Sequence, residues 1–198
     1  MKKISSDSIS DYLPPEDKAL AGQIQAGRIA IISWLGLGRR PSGQVANRLR
    51  QQGFSDTVVT AVMASLRDDG YLDDVAIAKR LARQHQGRQA ESRAALDLRM
   101  QRLGLTAEAI SAALPDEAAD LKSAVDLLGS RFGFRMEQLR QRQDAEANAA
   151  DQKLEQDTRL LWQKAGRFLA GRGYSRLIIN RALTEFLPGI DSDSLDQA

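Results

Sequence analysis

The sequence contains no cysteine, which excludes disulfide bonds, thiolate metal sites, iron–sulfur clusters and cysteine nucleophiles. Its single histidine, His85, excludes a His-rich metal site and any zinc signature that needs two histidines. Aromatic residues make up only 5% of the 198 residues, too few to fill a large all-β core. No apolar run approaches the roughly 18 residues of a membrane span, and the opening MKKISSDSIS lacks the apolar segment of a secretory signal. Leucine, alanine, arginine and glutamine dominate, which favours helix. Together these observations lead us to expect a cytoplasmic, mostly helical protein without membrane contact.

Positive charge is concentrated in the middle of the chain, although the formal net charge is only +2. From Lys79 to Arg102 seven basic residues stand against two acidic ones, and the whole chain has 21 arginines and 7 lysines. The guanidinium group pairs bidentately with phosphate or carboxylate. This distribution indicates an anionic partner. The alternative, ordinary solvated helix faces, stays open on charge alone.

A short pattern recurs three times along the chain: a glycine, a large apolar residue and then a serine or threonine. The glycines are Gly53, Gly104 and Gly173. Each glycine fits the left-handed position that ends a helix, and each hydroxyl residue fits the N-cap of the next helix. Apolar residues four before and six and ten after each glycine would be the facing stripes of the two helices. The pattern predicts three tight helix–turn–helix units with positive φ at the glycines.

A further helical stretch precedes each pair, so each unit is predicted to contain three helices. The predicted organisation is a flexible N-terminal tail, repeat 1, repeat 2, repeat 3 and a flexible acidic C-terminal tail, at residues 1–26, 27–73, 74–115, 116–187 and 188–198. A unit of about 45 residues buries little core alone, so we expect the repeats to stack.

The third repeat is longer than the others because of a polar segment at 134–159. We interpret this segment as extensions of two antiparallel helices with a bend near 146–151, and a disordered loop is the alternative. Such polar helices should project from the body and pack only along Phe134, Leu139 and Leu154. Their alternating charges favour contact with protein over contact with DNA.

The sequence shows no catalytic constellation, neither a GxxxxGK[ST] phosphate loop nor a GxGxxG turn. Two acid pairs, Asp68-Asp69 and Asp73-Asp74, could in principle hold a divalent metal. Capping of the helix from Val75 by Asp73 or Asp74 explains the second pair without one. We therefore expect a protein that is not an enzyme and has no metal or other cofactor.

Several segments resemble the RecX family of bacterial recombination regulators. The first repeat matches in QVANRLRQQGFSDTVVTAVMASLRDDGYLDD, the second in ALDLRMQRLGLTAEAISAAL and the third in RFG and AGRFLAGRGYSRLIINRAL. The match covers residues 27–187. Two departures are Gly43, where the family often has an Arg/Glu-rich helix, and Ala76, where it commonly has arginine.

The resemblance implies an all-α fold of three tandem three-helix repeats in an elongated curved array. It also implies a non-enzymatic regulator that binds the RecA filament and inhibits its recombinase, ATPase and co-protease activities in DNA repair, recombination and the SOS response. Single-stranded DNA would be bound directly or through the filament, and no partner subunit is needed, so we expect a monomer.

The residues expected to contact the filament or DNA are exposed arginine and lysine side chains that the glycine turns bring together. They are Arg39, Arg40, Lys79, Arg80, Arg83, Arg88, Arg93, Arg172 and Arg176. Two other hypotheses stay open. One is a helical-repeat protein that binds DNA directly without RecA specificity, and the other is a helical scaffold for an unknown protein.

Overall fold

The computed structural model of the chain describes residues 15–36, 38–116, 118–145 and 152–187. Within these ranges the chain forms nine α-helices, one short 3-10 turn at Gly87–Gln89 and no β-strand. The helices are α1 (Pro15–Leu35), α2 (Ser42–Gln51), α3 (Asp56–Asp68), α4 (Asp74–Gln84), α5 (Arg93–Leu103), α6 (Ala107–Ser111), α7 (Ala119–Ala145), α8 (Gln152–Gly171) and α9 (Arg176–Phe186). The predicted all-α fold class is confirmed.

The first helix begins earlier than predicted. We expected residues 1–26 to form a flexible tail, but α1 begins at Pro15, so 15–26 are helical. Proline suits the first turn of a helix because its missing N–H has no intrahelical partner there and its φ is already helical. The rest of the predicted N-terminal tail and the predicted acidic tail at 188–198 lie outside the described residues.

The three glycine turns are confirmed. Gly53, Gly104 and Gly173 have φ values of +86°, +82° and +81°, and they lie between α2 and α3, α5 and α6, and α8 and α9. The hydroxyl groups of the N-cap residues accept hydrogen bonds at 3.4 Å from the backbone N–H three residues later, at Ser55, Thr106 and Ser175. Local helix-end chemistry therefore produces the same turn at three places in the chain.

The described chain divides into two compact units. The first contains α1 to α3, residues 74–78 and Gln101–Ser111. Its core is formed by fully buried side chains of α1, α2 and α3, namely Ile31, Val45, Leu49, Val58, Val62 and Leu66. Gly27 allows a close helix approach, because a Cβ there would lie 3.1 Å from Val62 Cγ2.

The second unit contains Lys79–Met100 and the described residues from Ala112 onward. Its core is formed mainly by α7, α8 and α9, with Leu127, Leu128, Leu161, Trp162, Leu169, Leu183 and Phe186 buried. Phe132 and Phe168 meet edge to face with ring centroids 5.6 Å apart. The compact units do not coincide with the predicted repeats, since residues 74–115 are divided between both units; the repeat boundaries stay a prediction.

The polar segment at 134–159 is helical wherever it is described. It forms the end of α7 and the start of α8, and the predicted bend at 146–151 lies outside the described residues. Leu139 is buried and Leu154 packs against the same core, as predicted. Phe134 does not, because its side chain is 80% exposed, so the prediction that it joins the packing line is wrong.

Candidate interaction surface

The outer face of α4 carries the most concentrated positive charge. The helix begins after Asp73, whose Oδ1 accepts from the Ala76 N–H at 2.9 Å, and its inner face buries Ile77, Ala78 and Ala82. Helical spacing places the basic side chains of this helix on the opposite, exposed face. With the exposed base in the following turn, they form a set that we call the basic strip: Lys79, Arg80, Arg83 and Arg88.

The four side chains of the basic strip have no ion pair or hydrogen bond with any residue that the structure describes. Elsewhere arginines are paired, for example Arg50 with Asp56 at 2.9 Å and Arg99 with Glu91 at 2.6 Å. Like charges three and four residues apart on a helix are slightly destabilising. No observed contact therefore makes the basic strip stabilise the fold. Its positive charge is available to bind an external anion.

Arg172 positions the loop that carries Arg88. Its Nη1 donates to the Ala90 carbonyl at 3.0 Å and its Nη2 donates to the Arg88 carbonyl at 3.4 Å. Its Cζ lies 5.2 Å from the centroid of the Phe168 ring. Arg172 is half-buried, so the prediction of an exposed side chain is wrong for it. Its donors hold the backbone of the loop that carries Arg88.

Two further predicted site residues begin helices of the second unit. Arg93 is half-buried, and its Nη1 is fully buried with no hydrogen-bond partner among the described residues, so the prediction of an exposed side chain is wrong for it. Its backbone N–H donates to Asp120 Oδ1 at 2.9 Å, which fixes the start of α5. Arg176 is exposed at the start of α9.

The remaining predicted residues, Arg39 and Arg40, are exposed in the first unit, between α1 and α2. Arg39 Nη1 lies 2.8 Å from Asp73 Oδ2. Arg40 Cζ lies 4.3 Å from the centroid of the Trp34 ring, and Arg48 Cζ lies 6.0 Å from it. The sequence did not point to Trp34 or Arg48, because only the fold brings both arginines to the same ring.

Glu91 is the centre of a small charged network in the second unit. It accepts from Arg99 Nε at 3.0 Å and from Arg99 Nη2 at 2.6 Å, and His85 Nδ1 lies 3.5 Å from its Oε1. The hydrogen bond from Arg99 lowers the pKa of Glu91 against the opposing effect of its partial burial. The lone histidine thus lies beside a carboxylate.

Three of the four residues in the acid pairs, Asp69, Asp73 and Asp74, are held by protein donors. Asp74 is buried, with Oδ1 accepting from the Ser42 N–H at 2.9 Å and Oδ2 from the Thr106 N–H at 3.0 Å. Asp69 Oδ2 lies 2.7 Å from Arg28 Nη2. Among the described residues no three His, Cys, Asp or Glu side chains form a group that could hold a metal ion. None of the helices in the described ranges is long and apolar enough to cross a membrane.

Comparison with known proteins gives a match in structure alone. No protein-family model matches the sequence, and no curated protein matches it. The crystal structure of RecX from Lactobacillus salivarius is similar with a TM-score of 0.57 and 18% identity, over 84% of this chain and 97% of that one. A crystal structure of regulatory protein RecX is similar with a TM-score of 0.55 and 15% identity, over 90% of this chain and 77% of that one. The resemblance seen in the sequence motifs is thus matched by the structure, and the chain has the fold of the RecX proteins.

Proposed function

We propose that the protein binds the RecA nucleoprotein filament and inhibits its recombinase, ATPase and co-protease activities in DNA repair, recombination and the SOS response. It would act in the cytoplasm, as a monomer and without catalysis. Two findings support this proposal: the RecX fold and the basic strip.

The basic strip is the observation that carries the proposal. It presents four exposed bases within ten residues, and none of them is neutralised by a described acidic side chain. A filament of protein on single-stranded DNA presents phosphates and acidic side chains. These anionic groups attract exposed arginines at long range and bind them on contact. The guanidinium groups of the basic strip are available for bidentate pairing because no carboxylate in the described ranges is paired with them.

Inhibition would be steric. α4 and the loop fixed by Arg172 are held by packing and hydrogen bonds, so the backbone that carries the basic strip is already ordered before it binds. A preordered backbone loses little conformational entropy on association. The ends of α7 and α8 would add protein contacts, with the exposed Phe134 ring as an apolar anchor.

The test is the rate of single-stranded-DNA-dependent ATP hydrolysis by RecA as this protein is added. We expect the rate to fall to a low plateau. A rate that is unchanged when the protein is in excess over RecA would contradict the proposal.

The second candidate function is direct DNA binding without RecA specificity, and the unpaired side chains of the basic strip favour it too. It is weakened by α6, which is only five residues long and offers little surface to a DNA groove. The two functions differ in their dependence on salt and on RecA. Binding to DNA alone should weaken steeply as salt rises, whereas filament binding should require both RecA and nucleotide.

A further inference from the structure

Two arginines of the first unit converge on one tryptophan ring. Trp34 lies at the end of α1 and packs partly against the core of that unit. Arg40, from the segment before α2, lies 4.3 Å above the ring centroid, and Arg48, on α2, lies 6.0 Å from it. Both distances are within the range of a cation–π contact.

Among the residues that the structure describes, neither of these two arginines has an acidic partner, whereas the arginines next to them do. Arg39, next to Arg40, is paired with Asp73 at 2.8 Å. Arg50, two residues after Arg48 on the same helix, is paired with Asp56 at 2.9 Å. Two guanidinium groups on one ring repel each other unless an anion lies between or beside them. The positive charges of Arg40 and Arg48 are therefore not neutralised by a described acidic residue, whereas those of Arg39 and Arg50 are.

We propose that Arg40 and Arg48, held by Trp34, form a binding site for a phosphate group, either of a nucleic-acid backbone or of a free nucleotide. Arginine binds phosphate with two parallel N–H donors, and stacking on an aromatic ring limits the motion that binding would otherwise have to restrain. Arg48 and Trp34 were not among the predicted contact residues, and this site belongs to the first unit alone. For Arg40 this inference rests on the proposed function, in which Arg40 contacts nucleic acid. The phosphate site itself does not require RecA.

Tryptophan emission reports on this site directly. The second tryptophan, Trp162, is buried in the core of the second unit, so a surface ligand should change the emission of Trp34. The probes are a short oligothymidylate, thymidine monophosphate and inorganic phosphate, each titrated into the full chain without RecA. We expect a saturable change that disappears in Trp34→Phe. Saturation by all three probes would indicate a site for any phosphate, and saturation by the oligonucleotide alone a site for the backbone; both support the inference.

Substitutions of single arginines test the geometry. We expect Arg40→Gln and Arg48→Gln each to weaken oligonucleotide binding and to reduce its logarithmic salt slope by about 0.7, the value for one phosphate of a single strand. The double variant should lose little more than either single variant, because both side chains hold the same group. Arg50→Gln is the matched control, on the same helix with the same change of charge, and it should bind like the wild type.

Three results would overturn the inference. They are an unchanged Trp34 emission with every probe, an equal loss of binding in Arg50→Gln, and unchanged oligonucleotide binding in the double variant. Since RecA is absent from these experiments, a negative result would leave the proposed inhibition of the filament standing. Conversely, failure to inhibit RecA would not remove a phosphate site on Trp34.

Discussion

The Gly43 N–H donates a hydrogen bond to the Gly104 carbonyl at 2.8 Å, and the two backbones are in direct contact. This contact joins the start of α2 to the turn between α5 and α6. A related contact occurs in the second unit, where the start of α5 meets the turn between α8 and α9, with Ser92 Oγ donating to the Gly173 carbonyl at 2.7 Å. The turns at Gly104 and Gly173 therefore pack against helix starts as well as ending helices.

Gly43 should not tolerate a side chain. A Cβ at this position would lie 2.7 Å from the Gly104 carbonyl oxygen, which is backbone and cannot move aside alone. We expect Gly43→Ala to lower the free energy of unfolding by about 1–3 kcal/mol, measured by urea denaturation. The control is Gly22→Ala in α1, where a Cβ meets nothing within 4 Å and should stabilise the helix by about 0.5–1 kcal/mol. Equal effects of the two variants would contradict the close approach.

The carboxylate of Asp74 is expected to be a major stabilising group of the first unit. It is 7% exposed and accepts one backbone N–H at each oxygen, from Ser42 and Thr106. Asparagine has only one acceptor oxygen, so Asp74→Asn leaves one buried N–H unsatisfied and should cost about 1–3 kcal/mol. Asp73→Asn should change stability by much less, because asparagine is also a good N-cap. The prediction fails if chemical denaturation ranks the two variants in the opposite order.

The network at Glu91 predicts a stability contribution that disappears in acid. Because the Arg99 hydrogen bond lowers the pKa of folded Glu91 below its ordinary value of 4.5, folding favours the carboxylate. The contribution is then present above pH 4.5 and is lost as the pH falls below it through the folded pKa. We expect Glu91→Gln to be less stable than the wild type at pH 7 by about 1 kcal/mol and to approach it in acid. An undiminished difference at low pH would contradict this assignment, and Arg99→Gln should weaken the pH dependence.

Phe134 is expected to matter for binding and not for folding. Its ring is 80% exposed on α7, whereas Phe132, two residues earlier, packs edge to face on Phe168. We expect Phe134→Ser to change the free energy of unfolding by no more than about 0.5 kcal/mol. It should raise the concentration of this protein needed for half-inhibition of RecA. Phe132→Ser should instead destabilise the protein by about 2 kcal/mol or more. Unchanged inhibition by Phe134→Ser would remove this ring from the interface.

Features that depend on near neighbours in the sequence could be predicted. The glycine turns and their N-caps follow from residues within ten positions, because helix ends are set by local hydrogen bonding. The error at Phe134 was one of periodicity. Phe134 and Leu139 are five residues apart, about 140° around a helix, whereas Phe132 and Leu139 are seven apart and share a face. The start of α1 was missed because residues 1–26 were predicted to be a flexible tail, although proline suits the first turn of a helix.

Features that depend on distant residues could not be predicted. Arg172 was identified as a charge for a partner, but its donors reach carbonyl groups more than 80 positions earlier in the chain. The sequence offered Asp73 and Asp74 as equivalent caps, and only the approach of Ser42 and Thr106 distinguishes them. Tertiary packing decides which charges are satisfied internally, so exposed and unpaired bases can be separated from structural ones only in the fold.

Charge reversal of the basic strip tests the central claim most directly. The measurement is RecA ATP hydrolysis on single-stranded DNA in the presence of Arg80→Glu/Arg83→Glu/Arg88→Glu. The matched control reverses three other exposed arginines, Arg67, Arg167 and Arg181, and changes the net charge equally. Both variants should melt like the wild type, since surface changes away from specific contacts have small effects. We predict that the variant of the basic strip no longer inhibits RecA while the control inhibits fully; full inhibition by the folded strip variant would contradict the account.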